Sequence, residues 1–261
     1  MLTNITLIYN EDKHEAREVV RVLQKIFKKC RVTVKKGISC STELVIGVGG
    51  DGTVLKTARQ ASSYNIPVAC INVGTLGFLG LDVKPEALNN FIVTLLKENF
   101  QIEERIILEA RVKGEKFLAL NDIVVKNGDT ARVIDLTVYF NNKNLYNITG
   151  DGVIVSTPTG STAYSLAAGG PVVSPELELM IVNPLNPHAL NSRPFISGPG
   201  KIKIIGKKRE QAYILTADGQ KSKKIKPEDE IDIKVSNNKL KLVKNNRDFI
   251  SILTEKLSWR V

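Results

Sequence analysis

A chain of 261 residues is long enough for one large domain or two modest ones, and its 43% hydrophobic and 25% charged residues are those of a globular protein. No apolar stretch reaches the ~18 residues of a membrane span and the N-terminus lacks a basic segment followed by an apolar signal core, so a cytoplasmic protein with no membrane partner is expected. The net charge of +10 suits a polyanionic ligand, yet the basic residues are spread over 35–36, 201–209 and 221–226 without a reader motif, which argues against a nucleic-acid partner.

The first hundred residues alternate between strand and helix patterns. Residues 5–9 read as a strand, 11–29 as a helix with Val19, Leu23, Ile26 and Phe27 on one face, 32–34 as a second strand and 43–48 as a buried third. A helix is expected to open at Thr53 and run through Val54, Leu55, Ala58 and Ala61. Residues 67–73 form the next strand, and a glycine-rich stretch from Gly74 to Gly80 leads to a helix over 85–97. Such alternation implies a parallel sheet covered by helices, with ligands at the carboxyl ends of its strands. From Gln101 the period falls to two. Residues 104–112, 117–125, 133–140, 153–156, 201–205, 212–216, 231–235 and 239–243 read as strands of an antiparallel, sandwich-like β domain. The tail, 249–259, regains helical spacing. The expected division is an α/β domain over 1–99, a β-rich domain over 100–245 and a C-terminal segment over 246–261. Cys30, Cys40 and Cys70 lack paired metal-ligand spacing, so reduced, mostly buried thiols and no metal site are expected.

The run Gly49-Gly50-Asp51-Gly52-Thr53 follows the third strand directly. Backbone N–H groups at a strand-to-helix turn, together with the helix dipole, favour a phosphate. Gly49, Gly50, Gly52 and Thr53 are therefore candidate donor-phosphate residues. Lys56, one helical turn beyond Gly52, either reaches a phosphate or is solvated on the helix. An acid in a phosphate cradle repels the ligand unless it does chemistry, holds a metal or caps the helix, so Asp51 needs a reason. Residues 47–52 also fit the glycine pattern of a dinucleotide fold, but Asn72 ends the next strand and nothing acidic follows until Asp82. A Walker loop needs Lys and a hydroxyl residue after its last glycine, whereas Gly52 is followed by Thr53 and Val54. Helix capping by Asp51 or Thr53 accounts for the acid but not for the surplus glycines.

A second segment carries more information. Thr149-Gly150-Asp151-Gly152 enters the strand 153–156, which runs into Thr157-Pro158-Thr159-Gly160-Ser161-Thr162-Ala163-Tyr164-Ser165 and then Ala167-Ala168-Gly169-Gly170-Pro171. Hydroxyl and amide donors are dense here, where a polar ligand could lie. An ordinary turn before a capped helix explains two or three of these residues, not all.

Add the pair Asn121-Asp122, the run from Asn183 to Leu190 with Arg193-Pro194, and Ala217-Asp218-Gly219-Gln220, and the sequence resembles the NAD kinases in landmark order over most of its length. Lipid kinases of the diacylglycerol and sphingosine type and phosphofructokinases share related glycine-Asp loops; the run from Thr157 to Tyr164 is more diagnostic. The resemblance implies phosphorylation of the 2′-hydroxyl of the adenosine ribose of NAD to give NADP. ATP or polyphosphate would be the donor, with magnesium or another divalent cation alongside it. It further implies a homodimer or homotetramer and a C-terminal helix returning to the N-terminal domain. Carried over by position, Asp51 is the base, and Asp51 with Gly52 flanks the nucleotide and binds NAD. Asn121 and Asp122 contact adenine or ribose, Arg132 and Asp151 touch the ligand, and Thr159, Thr162, Ala163, Tyr164, Ser165, Leu166 and Ala167 line the adenine and ribose pocket. Gln220 completes the set. His188 and Arg193 match landmarks and are expected to serve the loop's structure. The family usually has Asn-Glu at 121–122, so Asp122 is expected to keep the charge on a shorter side chain. A Ser is common in place of Ala168, and an aromatic in place of Ser192. Two other readings use the same loops: a lipid kinase, which would need an apolar pocket, and a non-catalytic NAD-binding regulator.

Overall fold

A computed structural model describes residues 1–74, 77–128, 133–207, 213–245 and 247–258. The chain divides into two compact units, Met1–Glu104 with Asn238–Val261, and Arg105–Asn237.

The first unit begins with β1 (Asn4–Tyr9), α1 (His14–Lys29), β2 (Thr33–Lys35), β3 (Leu44–Gly49), α2 (Asp51–Ser62), β4 (Val68–Asn72), α3 (Leu88–Leu96) and β5 (Ile102–Arg105). β3, Leu-Val-Ile-Gly-Val-Gly, is buried at all six positions, as an apolar run without alternation should be in the middle of a parallel sheet covered on both faces. One face of that sheet, with Ile5, Leu7, Leu44, Ile46, Val48 and Ile71, packs on Ala16, Val20, Leu23 and Phe27 of α1 and on Leu88, Ile92 and Leu95 of α3. The α1 residues recur every three or four positions, the spacing of a single helix face.

Among its described residues the regular elements of the second unit are strands, apart from a 3₁₀ turn and one short helix. It contains β6 (Leu108–Val112), β7 (Glu115–Ala119), β8 (Asp122–Asn127), β9 (Ile134–Phe140), β10 (Lys143–Gly150), β11 (Gly152–Ser156), a 3₁₀ turn over Thr159–Thr162, α4 (Tyr164–Ala167), β12 (Met180–Leu185), β13 (Phe195–Ser197), β14 (Lys201–Gly206), β15 (Tyr213–Ala217), β16 (Lys221–Ile225) and β17 (Ile231–Val235). Two antiparallel sheets result, in the orders β10-β9-β14-β17-β6-β7 and β13-β12-β11-β8-β15-β16. Their facing sides share one core: Leu136, Val138, Ile202 and Ile233 from the first meet Ile123, Val125, Val153 and Leu215 from the second. Alternation places the intervening residues of the second sheet on its other face, where Val124, Ile154 and Leu185 form a small cluster with Ala168 against it. Asp122, Ser156 and Asn183 share the parity of that outer face, so the segment after β11 folds back over them.

The chain then returns to the first unit as β18 (Leu240–Val243) and α5 (Phe249–Lys256). β18 lies between β4 and β5, completing the order β2-β1-β3-β4-β18-β5, and pairs parallel to β4 through Leu242 and Val68. Sequence period alone groups residues 239–243 with the antiparallel strands before them; parallel pairing with a strand some 170 residues earlier leaves no local trace. α5 is capped by Asp248, whose carboxylate accepts from the Ser251 N–H at 2.9 Å. No helix of the described residues is long and apolar enough to cross a membrane.

Candidate active site

In the first unit three adjacent parallel strands, β1, β3 and β4, end side by side at Tyr9, Gly49 and Asn72. Gly50 is extended (φ −86°, ψ −174°) and is the N-cap of α2, which therefore begins at Asp51, two residues before the expected Thr53. With no cap side chain at Gly50, Asp51 occupies the first turn, where the helix dipole favours a carboxylate. The loop leaving β4 turns at Gly74, whose φ of +94° suits glycine, and rejoins the strand: the Asn72 N–H donates to the Leu81 carbonyl at 2.9 Å and the Leu81 N–H to the Cys70 carbonyl at 2.6 Å. Phe78 in this loop donates its N–H to Asp51 Oδ2 at 3.4 Å. Gly77 lies against the same carboxylate so closely that a Cβ there would overlap it. Asp51 Oδ1 is buried and has no hydrogen-bond partner among the described residues. A buried acceptor left without a donor is costly, and a ligand hydroxyl would remove that cost. Thr53 is fixed by its N–H to the Gly50 carbonyl at 2.8 Å. Lys56 is exposed on α2. Beneath the loop, burial pushes the Cys70 thiol up to about 12, with the Asp51 charge adding to it, so this cysteine stays protonated; against expectation Cys30 is only half-buried and Cys40 is exposed.

In the second unit the organising group is Asp218, at φ +50° in the turn after β15. Its carboxylate accepts the N–H groups of Leu120 at 3.2 Å, Asn121 at 2.7 Å and Asp122 at 3.3 Å, which fixes the Asn-Asp pair where β8 begins. The pair is clamped from the other side by Thr157, whose N–H donates to the Asn121 carbonyl at 2.9 Å and whose hydroxyl donates to the Leu120 carbonyl at 2.5 Å. Gly160 packs on Asn121 so tightly that a Cβ would overlap its carbonyl. Several hydroxyls of the run 156–162 are thus occupied within the protein. Ser161 Oγ donates to the Val173 carbonyl at 3.2 Å and accepts its N–H at 3.0 Å, and Thr162 Oγ1 donates to the Thr159 carbonyl at 3.3 Å. Asn183 Nδ2 holds the following turn through the carbonyls of Ser165 and Ala168, each at 3.2 Å.

What remains available is more selective. Ser165 Oγ is buried without a partner among the described residues, Tyr164 keeps 44% of its surface exposed, Ala163 and Leu166 are half-buried, and Ala167 is exposed. Thr159 is buried. Asp151 is exposed and accepts from Asn186 Nδ2 at 2.7 Å, and Gln220 is exposed in the turn beside Asp218. Arg132 lies outside the described residues. Asp122 departs from expectation: at 4% exposure, burial first and the Asp218 carboxylate second push its carboxyl up to about 7, so a charge is not kept throughout the neutral range. Arg193 serves the loop through its side chain and His188 joins it through its main chain. The His188 N–H donates to the Thr149 carbonyl at 2.9 Å, and Arg193 Nη1 to the carbonyls of Leu190 and Ser192 at 2.8 Å. Among the described residues no three His, Cys, Asp or Glu side chains converge on a metal position.

Both halves match family models: the ATP-NAD kinase N-terminal domain over residues 9–100 and the ATP-NAD kinase C-terminal domain over 120–245. The chain belongs to the NAD kinase family. The NAD kinase of Clostridium botulinum is 38% identical, with 99% of this chain and 98% of that one covered. That of Natranaerobius thermophilus is 35% identical over 98% of each. A solved NAD kinase from Archaeoglobus fulgidus, in complex with ATP, is 28% identical and superposes with a TM-score of 0.82 over 99% of this chain and 100% of that one. Yeast NADH kinase complexed with NADH, at 24% identity and a TM-score of 0.89 over 99% and 88%, has the same fold. The chain is accordingly a phosphotransferase acting on NAD. Its Gly-Gly-Asp-Gly-Thr loop lies within the matched N-terminal domain, and residues 121–122, 151–167 and 218–220 lie within the C-terminal one.

Proposed function

We propose that the enzyme transfers the terminal phosphoryl group of ATP, or of inorganic polyphosphate, to the 2′-hydroxyl of the adenosine ribose of NAD, with Asp51 accepting the hydroxyl proton. A bond forms between the ribose oxygen and phosphorus as the bond to the leaving phosphate breaks, and the proton passes to the carboxylate. The products are NADP and ADP or a shortened polyphosphate. The observation that carries this reading is the divided carboxylate of Asp51: Oδ2 is held by the Phe78 N–H, while Oδ1 is buried and unpartnered. An acceptor fixed in this way is pre-aligned for a hydroxyl proton. Positioning and electrostatics supply most of the rate in phosphoryl transfer, which asks for little covalent help from the protein.

Gly49, Gly50 and Gly52 present backbone dipoles to the donor phosphates and Thr53 offers its hydroxyl, with Lys56 a further cation on the same helix. Asn121, Asp122, Asp151, Thr159, Arg132, Gln220 and residues 162–167 hold the dinucleotide, with Tyr164 offering a ring face and Ser165 a free hydroxyl. Magnesium, or another divalent cation, enters as part of the donor complex and neutralises phosphate charge. A cytoplasmic setting, where the three thiols stay reduced, and a homodimer or homotetramer complete the proposal. The test is incubation of the purified protein with NAD, magnesium and either ATP or polyphosphate, with the product read by an NADP-specific dehydrogenase. A 2′-phosphorylated product is expected. Failure with both donors, or a phosphate on another hydroxyl, would reject the proposal.

A further inference from the structure

Lys13 stands outside every role assigned above. It is the N-cap of α1, at the end of a short connection from β1 that is tied down at each step. The Asn10 N–H donates to the Val48 carbonyl at 3.3 Å, the Asp12 N–H to Asn10 Oδ1 at 3.0 Å, and the Lys13 N–H to the Asn10 carbonyl at 3.3 Å. This anchors a long, exposed side chain at the carboxyl end of β1. Its Nζ stands 3.8 Å from the position a Cβ would take on Gly50 and 3.9 Å from the corresponding position on Gly74. Gly50 is the cap of α2, and Gly74 opens the loop whose Phe78 holds Asp51. Two glycines from two loops thus leave room for one ammonium. Among the described residues that ammonium has no carboxylate partner. The starts of α1 and α2, both at the carboxyl ends of neighbouring strands, add their positive dipole ends to it.

We propose that Lys13 binds the phosphate donor: its ammonium contacts an oxygen of the donor's terminal phosphates and offsets negative charge as the phosphoryl group is transferred. The proposal rests on the donor site assigned to residues 49–53. The choice of donor over dinucleotide follows from Gly50, which belongs to the donor loop and beside which Nζ stands. A lysine is a point charge with rotatable donors, suited to following a phosphate along a reaction.

Lys13→Ala, Lys13→Arg and the charge control Lys25→Ala, an exposed lysine on α1, are assayed by titrating donor at saturating NAD and NAD at saturating donor. Loss of one charge-assisted phosphate contact should lower kcat/KM for the donor about 10- to 100-fold in Lys13→Ala. The KM for NAD and the melting temperature should stay near wild type, Lys13→Arg should recover much of the loss, and Lys25→Ala should match wild type. Unchanged donor kinetics in Lys13→Ala, or an equal loss for donor and NAD, would overturn the proposal. Calorimetric binding of tripolyphosphate to wild type and Lys13→Ala separates this from the proposed reaction, because it needs no turnover. Weaker binding in the variant supports the lysine even if wild type makes no NADP, and equal binding refutes it even if wild type does.

Discussion

Asp122→Asn removes a carboxyl that the fold buries against the Asp218 carboxylate. In the folded protein burial, and then the Asp218 carboxylate, push Asp122 from 3.8 up to about 7, whereas the unfolded chain ionises near 3.9. Between those values the folded state holds a proton that unfolding releases. The contribution to stability is therefore fully present below about pH 4 and is lost as pH rises to about 7. At ~1.4 kcal/mol per pH unit the rise corresponds to roughly 4 kcal/mol over the whole range, of which roughly 2–3 kcal/mol falls between pH 5 and 8. Asparagine keeps the shape and cannot ionise. Urea unfolding of wild type and Asp122→Asn, followed by circular dichroism at pH 5, 6, 7 and 8, should show the variant gaining on wild type by that amount toward pH 8. Groups that do not interact with Asp122 cancel in the difference. Parallel stability curves for the two proteins would refute the reasoning, because they would mean that Asp122 ionises in the folded state as easily as in the unfolded one.

Two further substitutions test the shape of the site. In Gly77→Ala the new methyl would overlap the Asp51 carboxylate, so NAD binding should persist while kcat falls about 100-fold, the scale of a 1 Å displacement of a reacting group; unchanged steady-state turnover would argue against that carboxylate position. Asp218→Asn leaves one of three backbone N–H groups facing an amide donor, which should lower the melting temperature by roughly 4–8 °C and weaken NAD binding together, checked by calorimetry; a stable variant with normal affinity would show that the latch is dispensable.

The central elements were legible in the sequence because their patterns are local. The apolar run of β3 followed by glycines announces a buried strand and a tight turn, and the face of α1 repeats every three to four residues. The helix after the loop was read two residues late because an extended glycine is a cap without a side chain to signal it. β10 and β16, Lys-Asn-Leu-Tyr-Asn-Ile-Thr-Gly and Lys-Ser-Lys-Lys-Ile, gave no strand signal; both are edge strands, where polar and lysine-rich sequence guards against further pairing. β12 hides behind Asn183 and Pro184, the first of which is spent holding the turn around Ser165 and Ala168. Reading residues 117–125 as one strand missed the break at Leu120 and Asn121. That break is made by Asp218, a carboxylate almost a hundred residues away. Its charge partner effect on Asp122, and the approach of Lys13 to Gly50 and Gly74, are likewise products of the tertiary fold that no spacing in the sequence encodes.

The role of Asp51 is tested most directly by Asp51→Asn, which keeps the size of the side chain and an acceptor for the Phe78 N–H while removing the proton-accepting charge. Calorimetric NAD affinity and steady-state turnover are measured on the same preparation. The expected result is NAD binding within a few-fold of wild type and a kcat lower by about two orders of magnitude or more, the range of general acid–base groups. Turnover within about tenfold of wild type, with NAD still bound, would contradict the assignment.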